Sequence, residues 1–153
     1  MTIRLLRSDE HELIGKIIGE TFFDDPVYNF LVGSKSAITA YNTFAAKKLY
    51  LKHGFGHVTE DLSCGSLWLN PGVSAHLSTF QSLPILPALL KHAGLKRLIR
   101  ALPSGDEFER HMPKEPCFSL YTIGCPPASR GKGLGGKMIE AGLKVADKAG
   151  MPV

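Results

Sequence analysis

The residues of this sequence that are best suited to chemistry form a glycine-rich stretch, SRGKGLGGKM, at positions 129–138. Glycine occupies positions 131, 133, 135 and 136, and the basic residues Arg130 and Lys132 stand among them. Because glycine has no Cβ, its backbone N–H group can come close to an anion. The stretch therefore predicts a site for phosphate or a similar anion.

Two common phosphate-binding patterns match the glycines but not their surroundings. A Walker loop needs Ser or Thr after its lysine to hold magnesium, whereas Met138 stands there, and only 15 residues follow it. A dinucleotide fingerprint needs its first glycine directly after a strand and an acidic residue about 20 positions later. Here PPASR separates Cys125 from Gly131, and positions 151–153 are Met-Pro-Val. The surroundings therefore speak against both patterns.

The elements that would position this stretch are a strand before it and a helix after it. CFSLYTIGC, at 117–125, is aromatic and β-branched and predicts the strand. The helix is predicted to stop at Gly150. Its apolar face is predicted to consist of Leu134, Met138, Ala141, Val145 and Ala149. In this order, the first N–H groups of the helix and the positive end of its dipole meet the anion.

The rest of the chain predicts alternating strands and helices within one domain, residues 1–153. The predicted elements are a strand at 2–7, a helix capped by Ser8 or Asp9 that ends in FFDDP at 22–26, a helix at 35–53, and a hairpin of strands at 56–60 and 66–70. Residues 84–103 have helical character interrupted by Pro87 and Gly94, 104–116 predicts a loop, and 151–153 predicts the start of a further strand. The fold class is thus α/β, with an α+β mixed sheet flanked by helices.

Composition and charge exclude several classes of protein. With 44% hydrophobic and 21% charged residues, the chain is typical of a globular protein. No apolar run approaches membrane-spanning length. The formal net charge of +4 suits an anionic ligand, but the basic residues are too sparse for nucleic-acid binding. We therefore expect neither a membrane nor nucleic acid as a partner.

The cysteines and histidines indicate no metal site, because none of them has ligand spacing. Cys117 and Cys125 fall at the two ends of one predicted strand, too far apart for a disulfide at ~3.3 Å per residue. We expect these two cysteines and Cys64 to be reduced thiols in a cytoplasmic protein.

A third phosphate-binding pattern in the glycine-rich stretch, Arg130-x-x-Gly133-x-Gly135, is shared with a known family. Residues 111–153 resemble the acetyl-CoA-binding motif of the GNAT superfamily of N-acetyltransferases, and within it the puromycin N-acetyltransferase-like group. That group has a comparable His-x-Pro-Lys-Glu-Pro stretch, an apolar strand ending in [IV]-G-V, and then QGKGLG. The sequence departs from it at Cys125, where Val is usual, and at Arg130, where Gln is usual. The resemblance implies the acyl-CoA N-acyltransferase (GNAT) fold, with which residues 1–110 are compatible.

The resemblance also implies an activity, the transfer of acetyl from the co-substrate acetyl-CoA directly to a primary amine. The pyrophosphate is expected on the loop N–H groups, and the pantetheine amides are expected on the free backbone groups of the preceding strand. A strand N–H near Ile123 would stabilise the oxyanion. The implied coenzyme A-binding residues are Ile123, Gly124, Cys125, Arg130, Gly131, Lys132, Gly133, Leu134, Gly135 and Gly136.

Acidic residues are the candidates for contact with a small-molecule amine. Asp24 and Asp25, at the end of the first helix, and Glu115, just before the strand, could attract or deprotonate a cationic amine. His111 is a further candidate base. The alternatives stay open: the aspartates can simply turn the chain before Pro26, and Glu115 and His111 can be solvated loop residues.

The family pattern continues past the point where this sequence ends, at Val153. It adds a fifth strand, a helix with a tyrosine that serves as general acid, and a hairpin. The expected fold is therefore a GNAT fold truncated after the fourth strand and the third main helix, and an uncovered fourth strand is a sticky edge. We expect a homodimer or a completing polypeptide. The alternative to an enzyme is a non-catalytic coenzyme A-binding protein.

Overall fold

Four antiparallel strands form one sheet, in which each strand pairs with the next along the chain. The computed structural model describes residues 2–75, 77 and 79–153, without the side chains of 79 and 102–109. The strands are β1 (Ile3–Leu5), β2 (Gly54–Thr59), β3 (Gly65–Leu69) and β4 (Ser119–Gly124). β1 and β4 are thus the two edges of the described sheet, and the predicted β2–β3 hairpin is confirmed.

Helices flank this sheet, as the sequence predicted. They are α1 (His11–Thr21), α2 (Pro26–Leu31), α3 (Lys35–Ala45), α4 (Leu51–His53), α5 (Thr79–Ser82), α6 (Leu86–Ala93), α7 (Leu95–His111) and α8 (Leu134–Ala149). A π-helical segment, Ala46–Tyr50, joins α3 to α4, so the element predicted over 35–53 is continuous. Short 3-10 turns lie at Leu83–Ile85 and Pro127–Ser129.

One face of the sheet is covered by α1 and α3, which pack very closely. Gly15 and Gly19 of α1 lie directly against Thr43 and Thr39 of α3, and a Cβ on either glycine would overlap the threonine side chain. The absence of side chains at these two positions therefore lets the helix backbones approach. The core beneath them includes the fully buried Ile14, Ile18, Val58 and Leu67.

The opposite face is covered by α8. Its buried residues are Leu134, Met138, Gly142 and Ala146, so the buried stripe is rotated from the predicted one, and Ala149 is exposed. The reason is Gly142, which lies directly on the indole of Trp68 from β3. A helix that approaches the sheet at a glycine buries the positions in line with that glycine. The predicted stop is confirmed, because Gly150 ends α8 with φ 63°.

Two local predictions are wrong. The residue before α1 is Glu10 rather than Ser8 or Asp9, because the Glu10 carboxylate is held by Arg4 at 2.8 Å and by the backbone N–H of Arg7 at 2.9 Å. The segment predicted as a loop over 104–116 is helical as far as His111. Polarity does not distinguish a loop from an exposed helix, and Glu and Arg are strong helix formers.

Candidate functional site

The glycine-rich loop joins β4 to α8, as the sequence predicted. After Gly124 the chain makes the 3-10 turn Pro127–Ser129 and then two left-handed residues, Gly131 with φ 77° and Gly133 with φ 69°. Residues with a side chain rarely adopt this conformation. The two glycines therefore set the path by which the loop enters the helix.

The loop presents a row of backbone donors that the protein itself does not use. The N–H of Arg130 donates to the carbonyl of Pro127 over 3.2 Å, and the next N–H with a partner is that of Lys137, which donates to the carbonyl of Gly133 over 3.3 Å. Within the described part of the chain, the N–H groups of 131–136 have no protein acceptor. A Cβ on any of the glycines at 131, 133, 135 or 136 would meet no atom within 4 Å. Unpaired donors at a helix start, beneath open space, are suited to an anion such as a diphosphate.

The side chain of Arg130 ties this loop to α1 and to the end of β4 by hydrogen bonds. Its guanidinium donates to the carbonyl of Thr21, at the end of α1, over 2.8 Å, and to the carbonyl of Cys125 over 3.3 Å. The predicted phosphate contact of Arg130 thus competes with two protein acceptors. Lys132 is exposed on the same loop, and the structure shows no partner for it among the described residues.

β4 supplies the second wall of the candidate site. It pairs with β3 on one side, and a bulge between the pairs Leu67–Thr122 and Trp68–Leu120 leaves Tyr121 as the extra residue. Bulges re-aim a side chain and are frequent beside active sites. On the other side, the N–H of Phe118 donates to the carbonyl of Pro152 over 2.8 Å. Residues 151–153 nevertheless form no strand, contrary to the prediction.

The residues predicted to bind coenzyme A along β4 are packed differently from one another. Ile123 and Cys125 contact the α8 side of the sheet, where Leu134 and Met138 are buried. Gly124 faces α1, and a Cβ on it would lie 3.0 Å from the hydroxyl of Thr21. β4 and the loop are therefore fixed on both faces of the sheet.

The prediction of three reduced thiols is wrong, because Cys64 and Cys125 form a disulfide. The β3–β4 register explains the pairing. Gly65 lies opposite Gly124, so that Cys64 and Cys125 are the next residues on either strand, with their Cα atoms 4.3 Å apart. Reasoning from sequence compared only Cys117 with Cys125, and Cys117 is indeed free.

A buried cluster of tyrosines next to β4 was not predicted as part of the site. The hydroxyl of Tyr121 donates to Oδ1 of Asn42 over 3.1 Å and lies 3.5 Å from the hydroxyl of Tyr28. Its ring stacks on that of Tyr50, with 4.2 Å between the centroids. Burial, followed by the neighbouring tyrosines, raises the pKa of Tyr121 well above its usual value, and burial also raises that of Tyr50. No spacing in the sequence links these residues, because they come from α2, α3, the π-helical segment and β4.

The predicted acceptor residues lie on two separate connections. Asp25 caps α2, and its Oδ1 accepts the backbone N–H groups of Val27 and Tyr28 at 2.9 Å. Asp24 is exposed beside it. His111 is the last residue of α7, and Glu115 is exposed in the segment that leads to β4. Their roles toward an amine stay predictions.

The remaining chemistry of the chain is limited. No group of metal-ligating side chains is found among the described residues. In the same part of the chain, none of the helices is long and apolar enough to cross a membrane.

Comparison with known proteins supports the fold. No protein-family profile matches the chain. A solved structure from Corynebacterium glutamicum ATCC 13032, described as histone acetyltransferase HPA2 and related acetyltransferase, is similar with a TM-score of 0.68 and 21% identity. The alignment covers 95% of this chain and 71% of that one. At this identity the similarity establishes the fold, and the chain thus has the fold of the GNAT acetyltransferases.

Proposed function

We propose that this protein transfers an acetyl group from acetyl-CoA to a primary amine. The observation that carries the proposal is the row of unused N–H groups at 131–136 beneath open space, on a fold shared with an acetyltransferase. Those donors and the dipole of the 16-residue helix α8 suit a diphosphate. We also propose that the protein belongs to the puromycin N-acetyltransferase-like group, because residues 111–153 resemble the motif of that group.

In this proposal the chain holds its co-substrate with backbone rather than with side chains. The loop N–H groups donate to the oxygens of the diphosphate, Lys132 adds a positive charge, and the free edge of β4 at Ile123–Cys125 pairs with the pantetheine amides. Bound acetyl-CoA supplies an activated thioester carbonyl. Arg130 acts as a positioning residue, because it ties the loop to α1 and β4.

The reaction requires one nucleophilic attack and the net transfer of one proton from the amine to the leaving thiolate. The nitrogen of the neutral amine forms a bond to the thioester carbonyl carbon, and the C–S bond breaks. A base takes the proton that the amine loses and returns it to the thiolate, which leaves as the thiol of coenzyme A. The exposed Glu115 and His111 are the proposed proton acceptors, with Asp24 and Asp25 as the proposed attraction for a cationic amine. Oδ1 of Asp25 already accepts two N–H groups of α2, so Asp25 should attract the amine less strongly than Asp24 does.

The partners and the location form part of the same proposal. The free edge of β4 is suited to a second copy of the chain or to a completing polypeptide. A cytoplasmic location requires that the Cys64–Cys125 bond form reversibly, because cytoplasmic thiols are kept reduced.

A thiol-release assay with acetyl-CoA and a panel of primary amines tests the proposed activity. We expect amine-dependent release of free thiol together with an acetylated amine, detected by mass spectrometry. Binding of coenzyme A without turnover for any amine would instead support the non-catalytic coenzyme A-binding protein. Thiol release that does not depend on an amine would contradict direct transfer.

A further inference from the structure

A second concave surface lies at the edge of the sheet opposite to β4. We call it the α8–β1 groove; it is formed by Ile3 and Leu5 of β1, by His57 of β2, and by the stripe of α8 from Lys137 to Lys148. Its volume is about 530 Å³. The groove lies at the β1 edge of the sheet rather than the β4 edge, and it extends along α8 away from the glycine-rich stretch, with which it shares Lys137.

The apolar floor of the groove follows from the way α8 sits on the sheet. Ile3 and Leu5 point to the same face of β1, because side chains alternate along a strand. α8 approaches the sheet at Gly142, directly over Trp68 of β3, and at β1 its buried residues Leu134 and Met138 pack near Ile3 rather than over Leu5. Leu5 is consequently 59% exposed, although it lies opposite the buried His57. Ala141 and Val145 of α8 complete the apolar lining.

The wall of the groove is basic. Lys137, Lys144 and Lys148 fall on one side of α8, because they are spaced by seven and four residues. Glu140 pairs with Lys144 over 2.8 Å and neutralises it. Lys137 and Lys148 form no ion pair within the described residues, so the groove keeps an excess of positive charge.

His57 lies at the floor of the groove with a largely buried ring. Its side chain lines the groove and the residue is 6% exposed, yet Nδ1 has no hydrogen-bond partner in the described structure. Nearly all buried polar groups in proteins have a partner. Its ring contacts the edge of Phe55, with 5.4 Å between centroids, so the imidazole is held in place by packing.

We propose that the α8–β1 groove binds an organic anion with an apolar body, of the fatty carboxylate type. The apolar part would lie on Leu5 and Val145, and the carboxylate would lie at one end of the groove, on the ammonium group of Lys137 or of Lys148. His57 meets the bound molecule at the floor. A purely polar anion would leave the apolar floor in water, and a neutral apolar molecule would leave the lysines without a partner.

Calorimetry with dodecanoate, below its micellar concentration, tests the groove. We expect saturable one-to-one binding by the wild-type chain that weakens several-fold between low and physiological salt. Leu5→Asp should weaken binding at least tenfold, since it places a negative charge on the apolar floor. Leu143→Asp is the matched control, because Leu143 is 39% exposed on α8 outside the groove lining, and it should bind as the wild type does.

A second variant and a second measurement test the proposal if Leu5→Asp does not fold. The double change Lys137→Ala and Lys148→Ala alters only exposed side chains and should weaken dodecanoate binding about tenfold. Dodecanoate should also shift the imidazole NMR signals of His57, identified with a His57→Gln variant. Equal weakening by Leu143→Asp, unchanged binding by the double variant, or shifts confined to residues far from the groove would overturn the proposal. The wild type's failure to bind dodecanoate at millimolar concentration would do so as well.

Discussion

The contact between Gly142 and Trp68 makes a quantitative prediction about how α8 is held on the sheet. Three carbon atoms of the indole lie where a Cβ on Gly142 would be built, and Trp68 is only 1% exposed. The ring therefore has no free space into which to swing. Overpacking of this kind costs about 3 kcal/mol, whereas Gly to Ala inside a helix otherwise gains about 1 kcal/mol. We expect Gly142→Ala to lower the free energy of unfolding by about 2 kcal/mol.

Urea denaturation followed by fluorescence measures this loss at the contact itself, because Trp68 is the only tryptophan in the sequence. Gly135→Ala is the matched control: it lies in the same helix, and its Cβ would meet no atom within 4 Å. We expect the control to change the free energy of unfolding by less than about 1 kcal/mol. If Gly142→Ala were as stable as the control, with unchanged fluorescence, the close packing of α8 on Trp68 would be refuted.

Three further predictions concern other parts of the fold. Cys64→Ser removes the disulfide to Cys125, which closes a loop with a sequence separation of 61. The longer free chain of the unfolded state should lower the free energy of unfolding by about 4 kcal/mol. Dithiothreitol should lower the Tm of the wild type but not that of the variant. Tyr121→Phe leaves the buried Oδ1 of Asn42 without its donor and should cost about 1–3 kcal/mol in urea denaturation. Because burial raises the pKa of Tyr121 in the folded state, the contribution of its neutral hydroxyl to the free energy of unfolding is fully present below pH ~10 and is lost as the pH rises further. A wild-type stability that does not change well above that pH would contradict this prediction. The hydrogen bond from a neighbouring arginine lowers the pKa of Glu10 to about 2. The contribution of Glu10 to the free energy of unfolding is therefore present above pH ~4.5 and is lost as the pH falls toward 2. This loss should be absent in Glu10→Gln.

The sequence predicted the glycine-rich loop and its flanking elements because their signals are local. The glycines at 131 and 133 need left-handed backbone, the strand before them is β-branched, and Gly150 ends the helix with a left-handed residue. Each of these features depends on a few neighbouring residues. The same is true of the helix over 35–53 and of the β2–β3 hairpin.

What the sequence could not predict depends on register and on close packing. The Cys64–Cys125 pair follows from the β3–β4 register, which no local pattern fixes. The rotation of the buried stripe of α8 follows from one glycine that lies on a distant indole. The hydrogen bond from Tyr121 to Asn42 joins the bulge of β4 to α3. These features join residues that are far apart in the chain, so periodicity carries no information on them.

The prediction of reduced thiols shows how a sound local argument can mislead. Cys117 is free, as predicted, but Cys125 pairs with Cys64, which comes from beside the neighbouring strand. Cross-strand neighbours must be considered as soon as a hairpin is predicted beside another strand.

The central claim is that the unused N–H groups at the start of α8 bind the diphosphate of coenzyme A. Calorimetry with coenzyme A on the wild type, Gly133→Val and Gly72→Val tests it most directly. Gly133 has φ 69°, so valine there forces the loop onto another path, whereas Gly72 has a similar φ of 78° and free space around it but lies outside the loop. We predict that Gly133→Val weakens binding by at least tenfold while Gly72→Val binds nearly as the wild type does. Equal affinity of all three proteins for coenzyme A, with both variants folded, would contradict the claim.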